Sequence, residues 1–193
     1  MGSFFEGVEG YAEPGKVPFL IQEEPPEKKG FSFEPISKDA TVECIDAIVK
    51  AVPQAKWDRE GLKHRLLAPN GLTIIARLRR VLVGVISGTL MTPSLPPSIG
   101  FMAVFDPESG RKGLGGYLID EFIKEIQERV PKALCVDVSL SNLDTSSIAL
   151  YSLKGFIVNG FIKNEIRSRF GEGIHDLVHL RRWLVKAQPR STV

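Results

Sequence analysis

Four glycines, Gly110, Gly113, Gly115 and Gly116, are interleaved with Arg111, Lys112 and Leu114 between an apolar stretch ending at Phe105 and a stretch of helical periodicity. Glycine lets backbone approach a ligand closely, and a helix start presents unpaired N–H groups with a partial positive charge. Arg111 and Lys112 add full charges, so residues 106–116 suit a phosphate or pyrophosphate. A plain Gly-rich turn between strand and helix has the same composition. A P-loop reading is demoted because Lys112 is followed by Gly113 and not by Ser or Thr. A dinucleotide fingerprint needs an acidic residue about twenty positions on, after a second strand. Here Glu128 sits at the end of the helix.

A second candidate is Asp137, which interrupts the apolar run Val136, Val138 and Leu140 and so projects from the opposite face of a strand. A carboxylate placed there can take a proton from a substrate directly or through a water, or serve as a solvated or capping group. Tyr151, near the end of a short helix, reads either as a functional phenol or as a core residue with a bonded hydroxyl. His64, His175 and His179 have no mutual spacing suited to a metal, and none is expected. Arg79 and Arg80 read as an exposed turn, and Arg181 with Arg182 as a solvated edge.

The elements that must position these groups follow from periodicity. Residues 31–36 form a weak strand, and Ser37 opens a helix through Val52. A second helix covers 57–67. Residues 72–77 and 81–90, joined by a tight basic turn, form a hairpin, and 99–105 the next strand. From Leu114, apolar Leu118, Ile119, Phe122, Ile123 and Ile126 recur at helical spacing until Pro131. A strand at 133–140, a helix from Asp144 or Thr145 to Leu153, and strands at 156–166 and 177–183 complete the chain. Strand and helix alternate in this half, which requires a parallel pairing. The expected class is therefore α/β (α+β), with a mixed sheet.

The run Gly110-Arg111-Lys112-Gly113-Leu114-Gly115 resembles the acetyl-CoA loop of the GNAT superfamily of N-acetyltransferases, Q/R-x-x-G-x-G/A, with Gly110 where Gln or Arg is usual. Asp137 to Asn142, followed by Leu150-Tyr151-Ser152-Leu153-Lys154-Gly155-Phe156, is similar to the family's strand, Asn turn and helix end, as found in ribosomal-protein N-terminal alanine acetyltransferases. His175 to Leu180 is similar to their final strand. The resemblance implies a mostly antiparallel sheet of six to seven strands flanked by helices. It implies acetyl-CoA as co-substrate, held by Phe105 through its backbone and by residues 110–116. Either Asn142 or Asp144 takes the Asn role, because a two-residue insertion separates the two ways of counting. Tyr151 becomes the acid for the departing thiolate and Asp137 the base, and the reaction is acetyl transfer to a primary amine. A coenzyme A-binding sensor without catalysis is the alternative that Gly110 leaves open.

The chain of 193 residues carries a net charge of +2 and 43% hydrophobic residues, the composition of one soluble domain without a nucleic-acid footprint. Prolines 93, 96 and 97 divide the uncharged stretch 81–105, so a membrane span is not expected there. Cys44 and Cys135 lie among apolar neighbours as reduced thiols, and with no targeting signal in view the expected setting is cytoplasmic. Residues 1–30, rich in Pro, Glu and Lys, form an extended arm, 31–185 the domain and 186–193 a tail. A homodimer is compatible with this organisation. The acceptor pocket is expected from the segment between the first two helices, residues 91–98 and residues 168–173.

Overall fold

The chain alternates strands and helices in the order β1 (Phe31–Pro35), α1 (Lys38–Ala51), α2 (Arg59–Leu66), β2 (Gly71–Leu78), β3 (Val81–Thr89), β4 (Ser98–Val104), α3 (Pro107–Arg111), α4 (Leu114–Arg129), β5 (Cys135–Ser141), α5 (Thr145–Leu153), β6 (Ile157–Arg167) and β7 (Ile174–Trp183). This computed structural model describes residues 30–51, 58–167 and 174–184. The expected arm, apart from Gly30, and the expected tail lie outside the described residues, as do 52–57 and 168–173 of the expected acceptor pocket.

All seven strands form one sheet in the order β1-β2-β3-β4-β5-β7-β6. Every pairing is antiparallel except β4 with β5, which agrees with the single parallel step required by the strand–helix–strand alternation. Alternation along the strands feeds two cores. Ile74, Ala76, Val83, Ile86, Ile99, Val136 and Val138 pack with Leu114, Leu118, Phe122 and Ile126 of α4 and Tyr151 of α5. Ile75 and Val85 turn the other way, onto Cys44, Ile45 and Ile48 of α1 and Leu62 and Leu66 of α2. The sheet is thus the middle of three layers.

Several local signals are visible in the chemistry of the termini. Asp58 caps α2 by accepting from the Glu60 amide. The two-residue turn between β2 and β3 places Arg79 at φ 49° and Arg80 at φ 72°, the left-handed pair that a right-twisted hairpin demands, and both side chains are exposed as expected. Residues 107–111, expected as part of a loop, form the short helix α3. Asp106 accepts from the amides of Glu108 and Ser109, and Pro107 occupies the first turn, where its missing N–H costs nothing.

Candidate functional site

Strands β4 and β5 pair only at Ser98 with Asp137 and Ile99 with Val138. Beyond these residues they diverge, and the gap is a cavity of about 250 Å³ lined by Phe101, Met102 and Ala103 of β4, Val138, Ser139 and Leu140 of β5, and Asp144, Ser147 and Tyr151 at α5. Ile48 of α1 closes it from the other layer, so the cleft passes through the sheet between the two helical faces. A larger cavity of about 390 Å³ lies at the opposite end of the parallel pair, between residues 91–97 and Cys135, Arg181 and Trp183. It contains none of the glycine-loop residues, and its walls include the expected acceptor loop.

The glycine loop meets the cleft at the start of α4. Gly113 sits at φ 86°, a conformation that costs a side-chain-bearing residue about 1 kcal/mol. It turns the chain from α3 into α4 and offers no side-chain cap. The amides of Leu114, Gly115 and Gly116, in the first turn, therefore have no acceptor among the described residues. At Gly115 a Cβ would stand 3.1 Å from Leu150 and 3.5 Å from Met102, a lining residue of the cleft. The bare first turn and the diverging strands are thus contiguous, and they fit a pyrophosphate with a thioester arm: unpaired donors for the anion and a narrow slot for the chain.

The charged side chains are distributed differently from expectation. Arg111 is exposed and paired with Glu108, and Lys112 is exposed at the end of α3. Lys154, which the loop motif does not include, crosses Gly116, where a Cβ would stand 2.8 Å from its Cε, and pairs with Asp120. A cation thus lies over the first turn of α4, six positions along the chain from Gly110, the site that lacks the usual side chain, in the count to Gly116.

Phe105 departs from its expected role. Its N–H is donated to the carbonyl of Val83 at 2.8 Å, and its side chain packs with the α1 core. Backbone groups alternate between the two edges of a strand. Those of Met102 and Val104, where β5 has moved away, face the opening instead. Of the two candidates for the Asn role, Asp144 lines the cleft and caps α5 by accepting from Ser147, whereas Asn142 is exposed in the preceding turn.

Tyr151 is 2% exposed, edge-on to Phe156 at 5.2 Å, and lines the cleft. Burial, reinforced by the Asp144 carboxylate, raises its phenol above the ordinary value, so it stays protonated. Asp137 is 5% exposed, on the face away from Tyr151. It receives two hydrogen bonds from Arg181, at 2.7 and 2.8 Å, and one contact from His179 Nε2 at 3.2 Å. Burial pushes the Asp137 carboxyl up, but the bonds and charge of Arg181, with His179, outweigh it and hold the group below the ordinary carboxylate range. A carboxylate so engaged is a weak proton acceptor.

The expected solvated edge at Arg181 and Arg182 is corrected by the same geometry. Arg181 forks onto Asp137 and lies 5.5 Å over the Trp183 ring, and Arg182 donates to the Lys154 carbonyl. The bonds to Asp137 raise Arg181 further above its ordinary value. Cys44, pushed up to about 12 by burial and the neighbouring Glu43, is an unreactive core thiol, and Cys135 is also buried and unpaired. Among the described residues no group of three His, Cys, Asp or Glu side chains is placed to hold a metal, and no helix is long and apolar enough to cross a membrane. His179, which had no role on the sequence alone, contacts both Asp137 and Ser139, the latter a lining residue of the cleft.

No family model matches the sequence, and no curated protein does. Solved structures do match. The ribosomal-protein-S18-alanine N-acetyltransferase from Escherichia coli superposes with a TM-score of 0.66 at 16% identity, over 84% of this chain and 99% of the other. NAA60 of Arabidopsis thaliana in complex with acetyl-CoA gives 0.66 at 14% identity, over 80% and 98%. A GNAT family acetyltransferase from Elizabethkingia anophelis with acetyl-CoA bound gives 0.63 at 18% identity, over 80% and 99%. At these identities it is the architecture that is shared: the chain has the fold of the GNAT acetyltransferases.

Proposed function

We propose that this protein is an acetyl-CoA-dependent N-acetyltransferase that works by direct transfer in a ternary complex. The observation that carries the reading is the continuity of the uncapped first turn of α4 with the β4–β5 cleft into which Tyr151 reaches. Solved neighbours of the same fold hold acetyl-CoA, which supports that co-substrate.

The amides of Leu114, Gly115 and Gly116 bind the pyrophosphate, with Lys112 and Lys154 supplying positive charge beside them. The outward backbone groups of Met102 and Val104 align the pantetheine arm and polarise the thioester carbonyl. Tyr151 donates a hydrogen bond to the sulfur and protonates it as it departs. A thiolate born in the buried cleft is itself desolvated, which raises its demand for that proton. On the opposite face the acceptor amine loses a proton on the side of Asp137, through a water or another intermediary because Arg181 occupies the carboxylate.

The acceptor is a protein N-terminus, a protein lysine or a small amine. One neighbour acts on a ribosomal-protein alanine and another is a spermidine N-acetyltransferase chimera, so the fold carries both classes. The two buried free thiols are consistent with the proposed cytoplasmic setting. Release of coenzyme A from acetyl-CoA, measured over alanine-, serine- and methionine-initiated peptides, lysine peptides and polyamines, tests the proposal. Acceptor-dependent release supports it. Acetyl-CoA binding with no release on any acceptor favours a non-catalytic sensor, the reading that Gly110 and the Glu108-paired Arg111 support.

A further inference from the structure

Two adjacent cross-strand pairs, Asp137 with Arg181 and Ser139 with His179, lie on one face of β5 and β7. His179 is held at both ring nitrogens, with Nε2 3.2 Å from Asp137 Oδ2 and Nδ1 2.9 Å from Ser139 Oγ. An ionised carboxylate only accepts hydrogen bonds, so the neutral imidazole carries its proton on Nε2. Nδ1 is then the acceptor for the Ser139 hydroxyl. Ser139 is exposed and lines the cleft that Tyr151 also lines, and its oxygen keeps its lone pairs for a donor inside that cleft.

We propose that Ser139 and His179 form the relay that removes the proton from the acceptor ammonium, with Asp137 as the positioning residue that sets the imidazole tautomer. The proposal rests on the acetyltransferase reading and supplies the intermediary which that reading requires. An ammonium N–H gives its proton to Ser139 Oγ while the Ser139 proton passes to His179 Nδ1. The freed nitrogen lone pair forms the C–N bond to the acetyl carbon, the C–S bond breaks, the thiolate takes the phenolic proton of Tyr151, and the amide nitrogen gives its second proton to water. The imidazolium, paired with Asp137, returns its proton to solvent through its 28% exposed side chain, and Tyr151 is reprotonated from water. Two protons leave the ammonium, one through His179 and one to water; one proton is gained by the sulfur through Tyr151, so one is released net to solvent. The two transfers occur on opposite faces of the sheet, which keeps the acid from short-circuiting the base.

The groups facing His179 are Asp137 and Ser139 from β5 and Arg181 from β7; its β6 partner, Gly160, brings no charge.

The experiment compares wild type with Ser139→Ala, Ser139→Thr and His179→Gln. It measures coenzyme A release with the peptide, lysine and polyamine acceptors named above, and acetyl-CoA affinity by calorimetry. The relay predicts that release falls about 100-fold in Ser139→Ala and His179→Gln with acetyl-CoA affinity unchanged. Ser139→Thr, which keeps a hydroxyl, retains most of the rate. Rates of Ser139→Ala and His179→Gln within twofold of wild type overturn the relay and leave the acetyltransferase reading intact. Absence of acetyl-CoA binding or of release in wild type overturns that reading, and the relay with it. Nitrogen-15 spectra of the apo protein give a readout without an acceptor: the Nε2–H tautomer at His179 supports the relay, and the Nδ1–H tautomer overturns it.

Discussion

Asp137 and Arg181, 44 residues apart in sequence, face each other across β5 and β7 with both carboxylate oxygens bonded to one guanidinium, at 2.7 and 2.8 Å. Bidentate pairing of this kind is strong and directional. It converts the residue that the strand pattern singles out as a base into an anchor, beside which His179 bridges Asp137 and Ser139, a lining residue of the cleft.

Removing that anchor leaves a guanidinium that is only 24% exposed without its partner. Asp137→Asn is expected to lower stability at pH 7 by about 2 kcal/mol, read from the midpoint of urea unfolding. The pH dependence has a definite sign. Because the folded carboxyl lies below its unfolded value, its contribution is complete above about pH 5 and is lost as pH falls through 4. The variant should lack that part of the acid-side loss. Coincident wild-type and variant curves from pH 7 to pH 3 would contradict the assignment.

Tyr151→Phe deletes the hydroxyl while keeping the edge-on packing against Phe156. The account predicts a kcat about 100-fold lower, unchanged acetyl-CoA affinity and an unchanged unfolding midpoint. Since burial holds the phenol above its ordinary range, no alkaline limb from Tyr151 is expected below about pH 10 in wild type. Turnover equal to wild type removes Tyr151 from the chemistry.

The hairpin offers a test of local physics. Arg79 and Arg80 both occupy left-handed backbone regions, which Asn and Gly adopt at lower cost. Replacing them with Asn and Gly should stabilise the protein by about 1 kcal/mol, seen as a higher thermal midpoint. A lower midpoint would show that what the two arginine side chains contribute to this turn outweighs the strain.

The long elements were legible because their periodicity is local. The apolar stripe of α4 and the β-branched runs of β2 and β3 state their own burial. Helix α3 was not read because five residues, one of them Gly110, cannot show a helical stripe; the Asp106-Pro107 start was the available signal. The glycine loop could be located from its residue types, and Tyr151 and the two candidates for the Asn role from the family resemblance. The order β5-β7-β6 could not, since strands contiguous in sequence are not contiguous in the sheet there. Without it Arg181 reads as a surface residue and His179 as an isolated one, and the partners of Asp137 are invisible. Phe105 was misassigned for a related reason: which strand edge an amide faces depends on pairing register, which the sequence of β4 alone does not contain.

The most direct test of the central claim is calorimetric titration with acetyl-CoA of wild type, Gly113→Asn and Gly113→Asp. Position 113 has open space around a built Cβ, and Asn and Asp share a shape and tolerate its positive φ, so the two variants differ in one charge beside the bare first turn of α4. Micromolar binding by wild type, nearly kept by Gly113→Asn and weakened at least about tenfold by Gly113→Asp, is the predicted result. No binding at millimolar acetyl-CoA, or equal affinities for the two variants, would contradict the assignment of this loop to the coenzyme.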